Sequence, residues 1–121
     1  MSTSSRPVGL VSVNTAPERA KKVLGEVCER VKPRYNIEHV GNADTIGGLE
    51  PLLKSLEPKP GIVFCASMWT PEQQQEIKSI ARSVLGDDFR FYGIPTGLQV
   101  KVGPQGIVEH ILENIDGVMA Q

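Results

Sequence analysis

The residues able to do chemistry in this chain gather where short apolar runs give way to amphipathic stretches. One such exit reads Cys65-Ala-Ser-Met-Trp-Thr70, another Asn14-Thr-Ala-Pro17. A cysteine at a strand end facing a helix N-terminus can have a lowered thiol pKa and act as a nucleophile. Anion-handling loops of that kind follow the cysteine with several donors and an arginine. Here Ser67 and Thr70 offer donors, but no arginine follows before Arg82. Position 65 also lies within the apolar run, where cysteine behaves as a small apolar residue. The spacing therefore favours a structural Cys65 over a catalytic one.

The other candidates are binding groups. Trp69, the single tryptophan, sits where it can stack on a flat ligand or close the end of a core. In the first exit loop only Asn14 and Thr15 can meet a ligand. It lacks the glycines of a phosphate loop, and Pro17 removes one helix N-terminal donor. The segment 93–106 holds Gly93, Gly97, Gly103 and Gly106 together with Thr96 and Lys101. Its glycines permit close approach of backbone to a ligand, and Lys101 can meet an acidic group. His39 and His110 have no carboxylate or nucleophile partner by spacing, so no catalytic triad is assembled from them. The two cysteines and two histidines also lack the short paired spacings of a zinc site, so no metal site is expected. No cofactor motif is complete, and the cofactor stays unassigned.

The elements that must position these groups follow one repeated pattern. Apolar runs at 8–13, 36–40, 61–66 and 89–94 each precede a helix-like stretch. Such β-α units build a parallel sheet with helices packed on it. Runs one and three are almost wholly apolar, as central strands covered on both faces are, while run two is polar enough for an edge. Thr15 with Glu18, and Thr70 with Gln73, fit capping boxes ahead of Pro17 and Pro71. Gly41-Asn-Ala-Asp44 reads as a turn, with Asp44 or Thr45 a helix cap. The last helix is expected from about Pro104. Before it, Leu98, Val100 and Val102 alternate with Gln99 and Lys101, which suggests a short extra strand or an extended arm.

The expected fold is one three-layer α/β/α domain over 7–121, flavodoxin-like or Rossmann-like, with a four-stranded parallel sheet of order 2-1-3-4. Right-handed crossovers then put helices one and four on one face, two and three on the other. Residues 1–6 read as a disordered lead-in. A net charge of −1 gives no basic patch for nucleic acid or an anionic membrane. No run approaches a membrane span and the N-terminus lacks a signal-peptide core, so a cytoplasmic location is expected. Two free thiols suit that compartment better than a disulfide.

In layout the chain resembles response-regulator receivers and the B components of sugar phosphotransferase transporters. Receivers need acidic residues after strand one and an aspartate ending strand three, where this chain has Asn14 and Cys65 or Ser67. In the transporter components the cysteine follows strand one, again at Asn14 here. The resemblance is one of architecture and implies no activity.

Ligands in such sheets bind beyond the carboxyl ends of the strands where the strand order reverses. That point lies between strands one and three. The expected function is thus a non-catalytic binding module taking a small polar ligand or a partner segment there, through Asn14, Thr15, Ser67, Trp69, Thr96 and Lys101. The alternative is a small enzyme using Cys65 as a thiol nucleophile in the same crevice. An alternating edge segment is also a template for a second chain, so a homodimer through 95–106 is expected.

Overall fold

The computed structural model describes residues 7–121, so the expected lead-in 1–6 lies outside the described residues. The chain runs β1 (Val8–Val13), α1 (Pro17–Val31), β2 (Ile37–Ala43), α2 (Leu49–Ser55), β3 (Ile62–Cys65), α3 (Pro71–Leu85), β4 (Arg90–Gly93), α4 (Leu98–Met119). All strand pairs are parallel and the order is β2-β1-β3-β4. Helices α1 and α4 cover one face of the sheet, α2 and α3 the other. The three-layer architecture expected from the sequence is thus present.

Alternation along β1 feeds two separate cores. Leu10 joins Val27, Val31, Phe64, Ile111 and Ile115 beneath α1 and α4. Val11 and Val13 turn the other way, to Leu49, Leu53, Val63 and Ile77 beneath α2 and α3. Ser12 shares Leu10's face by the two-residue period of a strand, and it is buried. A buried hydroxyl there must find partners inside the fold.

Several local expectations are corrected. First, β2 runs on to Ala43, through the stretch expected to turn. The register steps from Leu10↔His39 to Val11↔Gly41, so Val40 is an extra, bulged residue. Asn42 is drawn into the strand because its Nδ2–H donates to the Asn14 carbonyl at 3.0 Å and its Oδ1 accepts from Ser12 Oγ at 2.7 Å. The cap expected at Asp44 or Thr45 is also absent from α2. Thr45 Oγ1 instead accepts from the Gly48 N–H in the preceding turn, and Gly48 is the N-cap.

Second, α1 has no capping box. Its N-cap is Ala16, without a side-chain bond, and Asn14 Oδ1 accepts from the Ala16 N–H at 2.7 Å. The box at Thr70 and Gln73 is formed as expected.

Third, 98–102 is neither strand nor extended arm. It is helical, and α4 begins there at Leu98 rather than near Pro104. Gly103 breaks the helix with φ 72° and ψ 177°, a conformation open essentially to glycine alone. The five-residue alternation was too short to separate the two periods. Leu98 and Val102 are also i and i+4, and Leu98 packs inward while Val100 is 91 % exposed. Gly106 lets this turn fold back, since a Cβ there would collide with Val102.

Candidate functional site

The exits of β1 and β3 lie side by side, since Val13 pairs with Cys65. On the face carrying α1 and α4 they open into a cleft. Its walls are apolar: Val23 and Leu24 of α1, Phe64 of β3, Ile107 and Ile111 of α4. Its rim is polar, from Asn14, Arg19, Ser67 and Gln99. Its water-accessible volume is about 40 Å³, room for about three waters at ~10–15 Å³ each.

The helical turn 98–102 stands over one side of this cleft and is pinned by hydrogen bonds. The Gly97 N–H donates to the Ser67 carbonyl at 2.9 Å, and the Gln99 N–H to Ser67 Oγ at 3.1 Å. Thr96 Oγ1 donates to the Trp69 carbonyl at 2.7 Å. Gly97 (φ 87°) and Gly103 (φ 72°) bracket the turn in left-handed backbone. Ser67 is therefore both a lining residue and the post to which this turn is tied.

Behind the cleft runs a directional polar chain. Because Asn42 Nδ2 donates to the Asn14 carbonyl, its Oδ1 faces Ser12 and takes the hydroxyl proton. Ser12 Oγ then has only a lone pair left for His39 Nε2, 2.9 Å away, so that nitrogen carries a proton. His39 is the donor in this pair, which is the reverse of a base activating a serine. Burial pushes the His39 pKa down, and a backbone hydrogen bond with Gly41 opposes it. The chain fixes the carboxyl ends of β1 and β2 in register beside Asn14.

The structure brings some of the expected site residues together and separates others. Asn14 and Ser67 line the cleft. Thr15 sits beside it, its Oγ1 donating to Met68 Sδ at 3.7 Å. Thr96 is spent on anchoring the 98–102 turn, and Lys101 is exposed on that turn without lining the cleft. Trp69 is on the far side of the sheet. It is buried in the core beneath α2 and α3, and its Nε1–H donates to the Val13 carbonyl at 2.8 Å. Its ring packs the sheet end, not the cleft. Cys65 borders the cleft, but it is fully buried and packs in that same far core, and burial pushes its thiol up to about 12. At neutral pH it is a thiol and not a thiolate.

The chain matches no family model, no curated protein and no solved structure. The cleft must be read from its own atoms.

Three groups escaped the sequence. Arg19 looks like one more charge on a wet helix face, yet its place in the first turn of α1 puts it on the rim. Gln99 sat in an apparent strand alternation. Ser12 and His39 are 27 residues apart, and only strand pairing brings them together. His110 likewise gains a partner, since its Nε2 lies 2.5 Å from the Tyr92 hydroxyl. Among the described residues no group of three or more His, Cys, Asp or Glu could hold a metal ion, and no helix is long and apolar enough to cross a membrane.

Proposed function

We propose that this chain is a small non-catalytic binding module whose ligand enters the cleft between α1 and α4 at the carboxyl ends of β1 and β3. One observation carries the reading: apolar walls and a polar rim meet at the switch point of the sheet, the default ligand position in this architecture. The small volume favours a small molecule over a partner segment. The enzyme alternative has a buried, protonated Cys65 against it, and the proton order at Ser12 disfavours a serine nucleophile.

A fragment set titrated into isotopically labelled protein tests the proposal. Amide shifts at Asn14, Ala20, Ser67 and Gln99 are the expected response. Ala20 is buried on the cleft wall, so Ala20→Leu, checked for folding by its melting curve, should fill the cleft and abolish the shifts. A folded Ala20→Leu that still binds refutes it.

The homodimer through 95–106 no longer has a strand to pair. What supports it now is the exposure of Val100 and Val102, 91 % and 46 %, on the 98–102 turn. Sedimentation should give a dimer that Val100→Lys returns to monomer. A wild type monomeric at high micromolar concentration retires the idea.

A further inference from the structure

Resting on that reading of the cleft, we infer that its ligand is a short apolar molecule with a carboxylate or similar anionic head, the head meeting Arg19, Asn14 and Ser67. The fold leaves hydrogen-bonding capacity unused at this rim. Asn14 Oδ1 is occupied by the Ala16 N–H, which leaves its Nδ2 donors. Ser67 is only 6 % exposed, its Oγ accepts from the Gln99 N–H, and its own proton has no acceptor within the described residues. Its unspent proton is therefore a donor beside one remaining lone pair, in a place water reaches poorly.

Arg19 adds the charge. Four other described arginines have partners: Arg30 with Glu109, Arg34 with Asp116, Arg82 with Asp87, and Arg90 with the Met119 carbonyl. Arg19 has none among the described residues. No aspartate or glutamate lines the cleft. The unused acceptors here, the Gln99 amide oxygen and one lone pair of Ser67 Oγ, are neutral, and the Gln99 amide brings two donors with it. The rim thus offers one cation and several neutral donors, complementary to an oxyanion and poorly matched to an ammonium group. A guanidinium can take both oxygens of a carboxylate. The walls of Val23, Leu24, Ile107 and Ile111 suit a branched aliphatic end, for which the volume of about 40 Å³ gives room, while the anionic head stays at the open rim.

Three probes of one skeleton test this by amide-shift titration: isovalerate, 3-methylbutanol and 3-methylbutylammonium. Isovalerate should bind at least about fivefold tighter than the alcohol, the difference between charge-assisted and neutral hydrogen bonds, and the ammonium weakest. Arg19→Gln should abolish the preference for isovalerate over the alcohol. The alcohol or the ammonium binding as well as isovalerate overturns the inference while leaving the binding module standing. So does Arg19→Gln with undiminished preference for the acid. No shift in the cleft with any probe counts against the binding module and the inference together.

Discussion

Replacing Ser12 by alanine removes the centre of the polar chain that ties β2 to β1 behind the cleft. Two hydrogen bonds are lost, at 2.9 Å to His39 and 2.7 Å to Asn42. A typical intramolecular bond contributes about 0.5–1.5 kcal/mol net, and stranding a buried partner costs more. His39 and Asn42 are half-buried, so water can reach each in part and the upper limit is not met. The expected loss is about 1–3 kcal/mol, or a fall of about 4–12 °C in Tm for a domain near this size. Urea unfolding followed by circular dichroism measures it. Asn42→Ala supplies the second arm of a cycle. In the double variant Ser12 and Asn42 no longer strand one another, so the combined loss should fall short of additive by about 0.5–1.5 kcal/mol. Ser12→Ala within about 0.5 kcal/mol of wild type, the range of an ordinary surface substitution, refutes the reasoning. Strict additivity with Asn42→Ala refutes it as well.

Two glycines should respond in opposite directions. Gly103→Ala forces φ 72° and ψ 177° on a side chain and should cost about 1–3 kcal/mol, whereas Gly25→Ala, mid-helix with nothing within 4 Å of the new Cβ, should gain about 0.5–1 kcal/mol; melting curves decide. Cys65, pushed up to about 12 by burial, should resist alkylation at neutral pH in the folded protein and react fast only on unfolding; rapid native modification contradicts this. His39 has a folded pKa below the unfolded 6.5, so the folded state resists its protonation. The stability this supplies is complete above about 6.5 and drains away as pH falls. His39→Gln keeps an N–H for Ser12 and should flatten that part of the slope between pH 7.5 and 5; an unchanged slope contradicts it.

The layered fold was legible because each level of the chain agreed with the others. Caps such as Thr70 with Gln73, the apolar stripe at Ile77 and Ala81, and the nearly unbroken apolar runs at β1 and β3 all point to the same β-α repeat. What failed was short-range pattern under tertiary override. Asn42 has turn chemistry, yet two side-chain bonds to β1 hold it in a strand. The 98–102 alternation fits a helix equally well once Leu98 finds a core beneath it. The place of the cleft was legible through the switch-point rule, and Asn14 and Ser67 as part of its lining. Trp69 was not, because a loop aromatic near a strand end can turn to either face of the sheet, and the Val13 carbonyl decides which. Arg19 and the pair Ser12–His39 depend on contacts between elements far apart in sequence, for which a single chain carries no periodic signal.

The most direct test of the central claim is a structure of the protein soaked with isovalerate. Density is expected in the cleft, with the branched end against Leu24 and Ile111 and the carboxylate within hydrogen-bond distance of the Arg19 guanidinium. Isovalerate bound elsewhere, or a cleft that stays empty at saturating concentration, contradicts it.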